Sequence, residues 1–275
     1  MDFRQIDVFG SAGLRGNPLA VVHDADDLTD AQMAAFANWT NLSETTFLLP
    51  PTHPDADYCV RIFTTGKELP FAGHPTLGTA HAWLEAGGVP QTDGVVIQEC
   101  GAGLVPVRRG ERMAFAAPPL TRTGPVDHDV LARIGRACAL APGDVLAAEW
   151  IQNGPAWIGL ELTSAAAVLA LDPDPVLARG ISFGVVGRHD GGGPADVEVR
   201  AFFSDGQGLE EDPVTGSLNA GIAQWLISAG RLPSQYVARQ GTALGRDGRV
   251  YVEALDEDVW IGGSTRTLIR GTVTL

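Results

Sequence analysis

The chain of 275 residues contains a strand–turn–helix pattern twice, once in each half. The peptide FTTGKEL at Phe63–Leu69 aligns with FSDGQGL at Phe203–Leu209, and after a shift of two residues Trp83 aligns with Trp225. Self-similarity of this kind is typical of a structural unit that occurs more than once in a fold. The pattern therefore predicts an α+β architecture of two similar lobes.

Hydrophobic periodicity and turn residues predict mostly strands in each half, with one Ala- and Gly-rich helix in each. The predicted helices are 75–86 and 217–229 in these two positions, with further helices at 30–39, behind a Thr29 or Asp30 cap, and at 130–139. The predicted strands are 3–9, 19–23, 45–49, 58–63, 95–99, 103–108, 112–116, 156–161, 181–186, 197–203, 249–254 and 267–274. The Pro-rich segment Pro118–Pro125 is a predicted linker. We expect an N-terminal lobe over 1–118, completed by the C-terminal strand, and a C-terminal lobe over 126–275.

The charge balance excludes several classes of partner. The chain has 19 Lys and Arg against 33 Asp and Glu, a formal net charge of −14, so its overall field opposes binding to the phosphates of a nucleic acid.

No apolar run approaches the length of a membrane helix, and the first residues lack the pattern of a signal peptide. Cys59, Cys100 and Cys138 are odd in number and widely spaced, which predicts buried or half-buried free thiols. A cytoplasmic protein that binds neither nucleic acid nor membrane is expected.

Two polar peptides fall at predicted strand-to-helix turns. They are FAGHPTLG, which contains Gly73 and His74, and EEDPVTGS, which contains Asp212, Thr215 and Gly216 and ends at residue 217. The first turn of a helix presents free backbone N–H groups that bind carboxylates and oxyanions. If the two helix ends face each other, they form an anion-binding cleft between the lobes. In the simpler alternative, Pro and Gly only start two helices, and His74 and Asp212 are ordinary caps.

A third peptide, NLSETTF, places Glu44 where a predicted helix has ended and an apolar strand begins. A carboxyl group held beside apolar walls is desolvated, which favours its neutral form and lets it accept and return a proton near neutral pH. In the alternative interpretation, Glu44 is a solvated residue at a strand edge.

The sequence carries no recognisable signature of a metal or a cofactor. Its six histidines show no paired ligand spacing, and the glycines at 191–193 do not follow a phosphate-loop or dinucleotide pattern. A hydrolase that uses Ser217 and His74 would need a Gly-x-Ser-x-Gly turn, which does not occur here. We therefore expect a protein that works without metal or cofactor.

The peptides described above, in this order, resemble the phenazine-biosynthesis PhzF family of the diaminopimelate-epimerase-like superfamily. The resemblance covers nearly the whole chain and rests on these motifs: Asp7-Val-Phe9, Gly16-Asn17-Pro18, Ser43-Glu44-Thr45, Arg61-Ile-Phe-Thr64, Gly73-His74-Pro75, Glu211-Asp-Pro-Val-Thr-Gly-Ser217, Arg239-Gln-Gly241 and Ile261-Gly-Gly263. It implies two lobes, each a curved mixed sheet or barrel around a central helix, with the active site between them. It also implies a homodimer.

The resemblance further implies a cofactor-free isomerase that acts on a small cyclic carboxylate such as a dihydro-hydroxyanthranilate. Glu44 would move a proton between ring positions, and His74 and Asp212 would orient the ring and balance charge. Gly73, Thr215, Gly216 and Ser217 would bind the carboxylate.

The epimerases of the superfamily use two opposed cysteines, and neither matching turn carries one here, which disfavours a two-thiol racemase. An epimerase or racemase of unknown substrate and a non-catalytic carboxylate-binding protein remain as alternatives.

Overall fold

The computed structural model describes residues 1–204 and 208–275. Over these residues the protein has a mixed α/β fold that is largely sheet. The helices are α1 Asp30–Thr40, α2 Gly73–Glu85, α3 His128–Ala137, α4 Ala165–Leu169 and α5 Gly216–Ser228. The strands are β1 Asp2–Val8, β2 Asn17–Val22, β3 Glu44–Leu49, β4 Tyr58–Phe63, β5 Glu68–Leu69, β6 Val95–Cys100, β7 Gly103–Arg108, β8 Met113–Ala116, β9 Val145–Trp150, β10 Ile158–Leu162, β11 Phe183–Arg188, β12 Val197–Phe203, β13 Glu210–Asp212, β14 Gln235–Gln240, β15 Gly248–Leu255, β16 Asp258–Gly263 and β17 Thr265–Thr272.

The chain divides into two compact units. The first unit consists of Met1–Pro118 and Ile261–Leu275, and the second unit is Pro119–Trp260. The Pro-rich segment that begins the second unit is attached to it, because Thr121 N–H donates to Gln152 O at 2.7 Å. Among the described residues, no helix is both long and apolar enough to cross a membrane.

The first unit is a mixed sheet that packs against the buried helix α2. Strand β1 pairs antiparallel with β2 and β17, and β2 runs parallel to β3 after the crossover through α1. Strand β4 pairs antiparallel with β3 and β5 and parallel with β6, which follows α2. Helix α2 contacts β1, β2, β3 and β17 at close range. A Cβ atom at Gly78 would lie 2.5 Å from the Leu19 side chain and 2.9 Å from that of Val8, so only glycine fits there.

The second unit repeats this strand order. Strand β10 pairs antiparallel with β9 and, after α4, parallel with β11. Strand β12 pairs antiparallel with β11 and β13 and, after α5, parallel with β14. The sheet is not closed into a barrel over the described residues. The two-lobe α+β fold class predicted from the sequence is thereby confirmed, in the form of sheets rather than barrels.

An arginine–phenylalanine–glutamate cluster occupies the same place in both units. In the first unit, Arg61 donates two hydrogen bonds to Glu68, at 2.8 and 2.7 Å, and lies 5.1 Å from the Phe63 ring. In the second unit, Arg200 donates two to Glu211, at 2.9 and 2.8 Å, and lies 4.8 Å from the Phe202 ring.

The strand registers confirm the equivalence, since Phe63 pairs with Glu68 and Phe202 pairs with Glu211. The sequence alignment, which set Phe63 against Phe203, is therefore wrong by one residue. Its peptide 203–209 lies partly outside the described residues.

Several predicted elements are confirmed, and others were missed. Helix α1 begins behind a Thr29 capping box and buries Met33, Phe36 and Ala37, as expected. The three cysteines are free, two of them half-buried and one buried. Helix α2 begins at Gly73, two residues before the predicted start, so His74 lies inside the helix.

The sequence analysis missed five strands, β5, β9, β13, β14 and β16, and the short helix α4. Strand β9 carries alanines and a glutamate, which are poor strand formers. In β14 the buried positions are Tyr236, Ala238 and Gln240, and the buried glutamine breaks the apolar alternation. Strands β5 and β13 are only two and three residues long, too short for a periodic signal.

Candidate active site

Glu44 is the first residue of β3. Helix α1 ends shortly before it, at the C-cap residue Asn41, whose backbone is in the left-handed conformation with φ 54°. The parallel pairing of β3 with β2 places Glu44 opposite Leu19. Only 15% of its side chain is exposed. The carboxyl group is therefore largely buried and is not the solvated strand-edge residue of the alternative interpretation.

His74 is the second residue of α2 and its ring faces Glu44. The side chain is 3% exposed, and its Nε2 atom lies 3.5 Å from Oε2 of Glu44. Burial lowers the pKa of His74 to about 3, because the apolar surroundings disfavour the charged ring. Although the distance is within the range of an ion pair, the ring is neutral near pH 7, and the contact is between a carboxyl group and a neutral imidazole.

Asn17, the first residue of β2, completes this group and was not selected by the sequence analysis. Its Nδ2 atom lies 3.3 Å from Nδ1 of His74, and the residue is fully buried. The available signal was the Gly-Asn-Pro peptide at the start of a strand, because an asparagine there is polar at a position where an apolar residue is expected.

The second group of predicted residues surrounds the start of α5. Asp212 ends β13, and its Oδ2 accepts a hydrogen bond from the Thr215 hydroxyl. Gln240 of β14 donates from Nε2 to the Asp212 carbonyl and to Thr215 Oγ1, both at 3.0 Å, and accepts from the Thr215 N–H at 3.0 Å. This buried glutamine, also missed by the sequence analysis, holds the turn between β13 and α5 in one conformation.

Ser217 lies in the first turn of α5 and is buried. Its Oγ accepts a hydrogen bond from Nε1 of Trp157 at 3.0 Å, and its carbonyl accepts one from Asn153 Nδ2 at 2.8 Å. Because an indole N–H only donates, the proton of the Ser217 hydroxyl is not used in this bond. Gly216, the first residue of the helix, is buried beside it.

The seven predicted residues thus fall into two groups, one in each unit. Gly73, His74 and Glu44 lie together in the first unit, and the others lie together at the start of α5: Asp212, Thr215, Gly216 and Ser217. Neither His74 nor Asp212 acts as the side-chain cap of its helix, so the capping alternative is wrong. Within residues 1–204 and 208–275, no three His, Cys, Asp or Glu side chains are grouped so that they could hold a metal ion.

Acid should destabilise the protein partly through His74. The ring has a pKa of about 3 in the folded chain against 6.5 for a free histidine, so the unfolded chain binds the proton first as the pH falls. The resulting loss in the free energy of unfolding is absent above about pH 6.5 and grows to about 2 kcal/mol at about pH 5. In urea unfolding, His74→Asn should therefore lose less stability between about pH 7 and pH 5 than the unchanged protein. An equal loss in both would show that burial does not hold the ring neutral.

A mostly buried carboxyl beside a neutral imidazole is an arrangement that is suited to general acid–base chemistry. In structure, the whole chain is similar to a predicted epimerase from Pseudomonas aeruginosa, with a TM-score of 0.80, 28% identity, and coverage of 100% of this chain and 99% of that one. The fold and the site together define a protein of the isomerase and epimerase class.

The sequence model of the PhzC-PhzF family, described as phenazine biosynthesis-like protein, matches residues 6–275. The chain belongs to this family. It is 36% identical over 265 residues to the trans-2,3-dihydro-3-hydroxyanthranilate isomerase of Pseudomonas aeruginosa, with 90% of this chain and 88% of the relative covered. It is 35% identical over 299 residues to antisense-enhancing sequence 1 of Schizosaccharomyces pombe, with 98% and 97% covered. The chain is an isomerase of the PhzF type.

Proposed function

We propose that the protein isomerises a small cyclic diene carboxylate, similar to trans-2,3-dihydro-3-hydroxyanthranilate, by moving a proton from one ring carbon to another. The name of the Pseudomonas relative supports this substrate class. The observation that carries the proposal is the contact between Glu44 and His74, at 3.5 Å in a largely buried position.

Glu44 is the proton carrier in this proposal. As a carboxylate it removes a proton from the ring carbon, and the electron pair left behind is delocalised through the diene and into the substrate carboxylate. The protonated Glu44 then returns the same proton at the other end of the conjugated system, so that no atom is gained or lost. Burial supports this role, because a carboxyl group outside bulk water keeps its proton from exchanging before it is returned.

His74 and Asp212 orient the substrate and balance the charge that develops on it. His74 is suited to this role because it stays neutral and can donate an N–H bond without adding a charge. Asp212 is held by the Thr215 hydroxyl. The backbone N–H groups at Gly73, Thr215 and Gly216, with the hydroxyl of Ser217, bind the substrate carboxylate, since the first turn of a helix favours negative charge.

The test is the conversion of trans-2,3-dihydro-3-hydroxyanthranilate by the purified protein in D₂O, followed by NMR. Turnover with the original hydrogen retained at the reprotonated carbon supports direct return by Glu44, whereas deuterium there would show proton transfer with exchange and contradict the shielding of the Glu44 proton. A product that differs from the substrate only at one stereocentre would show an epimerase instead. Specific binding of this compound without turnover of it or of related cyclic diene acids would favour a non-catalytic binding protein.

Activity should not depend on an added metal or cofactor. This is expected because the proposed steps use only Glu44, His74, Asp212 and the helix N–H groups. Turnover should therefore be the same before and after dialysis against a chelator, and the visible spectrum of the purified protein should show no bound chromophore. A loss of activity that is restored by a divalent metal would contradict this expectation.

We also propose that the protein is a cytoplasmic homodimer that does not bind nucleic acid. The dimer and the location follow the family resemblance, and the net charge of −14 supports the absence of nucleic acid. Size-exclusion chromatography with light scattering tests the dimer, and a mass near 28.9 kDa, that of one chain, would reject it.

A further inference from the structure

Asn17 and Glu44 lie beside different nitrogens of the His74 ring. Asn17 contacts Nδ1, whereas Glu44 lies beside Nε2. The two side-chain atoms, Nδ2 of Asn17 and Nδ1 of His74, are 3.3 Å apart. The structure places the amide nitrogen of Asn17, which only donates hydrogen bonds, against the ring, and in this orientation Nδ1 is the acceptor. A neutral imidazole has one protonated nitrogen, and the ring proton is then on Nε2.

We infer that Asn17 is a positioning residue that holds His74 in the tautomer with its proton on Nε2, the nitrogen that faces Glu44. The inference concerns the ring itself; only its effect on turnover rests on the proposed function. With this tautomer, the protonated Nε2 lies 3.5 Å from Oε2 of Glu44; the two atoms do not form a hydrogen bond, but the partial positive charge of the N–H group favours the ionised carboxylate. With the other tautomer, a lone pair of the ring would face the lone pairs of the carboxylate.

The backbone before Asn17 is built to hold it in place. The carboxylate of Asp7 accepts hydrogen bonds from the N–H of Gly16 at 2.9 Å and of Arg15 at 3.3 Å, which closes the loop between β1 and β2. A Cβ atom at Gly16 would lie 2.0 Å from the carbonyl of Val8, so no other residue fits there. Asn17 itself pairs with Val8 in the sheet.

Phe9, at the start of this loop, is a buried residue with φ 67°, a conformation that costs energy for any residue except glycine. A strained backbone conformation persists only where contacts with the surrounding structure hold it in place. The loop therefore resists movement of the Asn17 backbone, which keeps the side chain beside His74.

The tautomer can be read directly from the unchanged protein. In ¹⁵N-labelled protein, two-bond ¹H–¹⁵N correlation distinguishes a protonated ring nitrogen from an unprotonated one. The His74 signals are those that disappear in His74→Asn. We expect Nε2 to be protonated and Nδ1 to be unprotonated. A ring protonated on Nδ1, or a mixture of both forms, would overturn the inference whether or not the protein is active.

Asn17→Asp reverses the polarity of the contact with almost no change in shape. A carboxylate at this position accepts a hydrogen bond, so Nδ1 should become protonated in the same spectrum. Loss of an outer hydrogen-bond partner of an active-site side chain typically lowers activity about 10- to 100-fold, and we expect this in kcat with KM little changed. Asn38→Asp on the exposed face of α1 is the matched control, because it adds the same charge and also removes an amide donor, here to the Thr65 carbonyl at 2.8 Å, and it should leave both readouts unchanged.

Failures of the two proposals can be told apart. A protein with the Nε2 tautomer but no isomerase activity would contradict the proposed function and leave the role of Asn17 intact. An active protein in which Asn17→Asp leaves Nδ1 unprotonated would contradict the role of Asn17 and leave the proposed function intact. If Asn17→Asp does not fold, the spectrum of the unchanged protein decides.

Discussion

Replacing Glu44 with glutamine is expected to abolish isomerisation and to spare ligand binding. Glutamine keeps the shape of the side chain and can still form hydrogen bonds with a bound ligand, but it cannot accept and return a proton. General acid–base catalysis contributes a factor of about 10² to 10⁴ to a rate, and Glu44 is the group proposed to carry out both proton transfers. Turnover of trans-2,3-dihydro-3-hydroxyanthranilate and binding of a non-reacting analogue, measured by calorimetry, are the two readouts.

The matched control is Glu257→Gln, an identical change at an exposed position in the turn between β15 and β16. It should leave the rate and the binding constant unchanged. Near-normal turnover in the Glu44 variant would exclude Glu44 as the proton carrier. His74→Asn and Asp212→Asn should slow the reaction less than Glu44→Gln, because these residues are proposed to orient and stabilise rather than to transfer the proton.

The second unit is expected to lose about 3 to 5 kcal/mol of stability when Arg200 is replaced with methionine. The side chains of Arg200 and Glu211 are only 6% and 12% exposed, and Arg200 also donates to the Leu171 carbonyl at 2.6 Å. Methionine fills a similar volume but leaves the Glu211 carboxylate without its two charged hydrogen bonds in a largely buried place. Removing one partner of a buried ion pair is strongly destabilising, because the charge that remains is buried without a partner.

The first unit supplies the control for this experiment. Arg61 occupies the equivalent position, but its side chain is 26% exposed and that of Glu68 is 42% exposed. Solvent screens such a pair, so Arg61→Met should cost about 1 kcal/mol or less. Urea unfolding followed by tryptophan fluorescence compares the two variants. Equal losses would show that burial of the Arg200 cluster does not determine its strength.

The sequence predicted the elements whose side chains follow one clear period. Strands β4, β7 and β12 match the predicted ranges in full, and the core face of α1 was predicted residue by residue. Strands such as β9 and β14 were missed because tertiary contacts, not local preference, determine them.

The one-residue error in the repeat alignment has a related cause. Alignment on Phe203 also matches a glycine and a leucine, so the sequence favours it over its neighbour Phe202, and only the pairing with Glu211 shows that Phe202 is equivalent to Phe63. In a strand, a shift of one residue moves a side chain to the opposite face of the sheet.

Of the candidate site, the sequence predicted the ionisable residues but not the residues that hold them. Glu44 and His74 stood in recognisable peptides, and they contact each other in the first unit. Asn17 and Gln240 are uncharged, and their importance comes from hydrogen bonds to residues distant in the chain, whose partners cannot be read from the local sequence. The neutrality of His74 likewise follows from burial, which is a property of the folded chain.

The pairing of β1 with β17 links the order of synthesis to the order of folding. The two strands pair from Asp2 with Thr272 to Val8 with Thr265, with one register shift between Gln5 and Ile6, so β1 gains this partner only after β17 has been translated. The second unit is a continuous segment, Pro119–Trp260, and all of it is translated before β17. Until β17 appears, one edge of β1 is open to pairing with other nascent chains. The first unit therefore stays incomplete until the whole of the second unit has been translated.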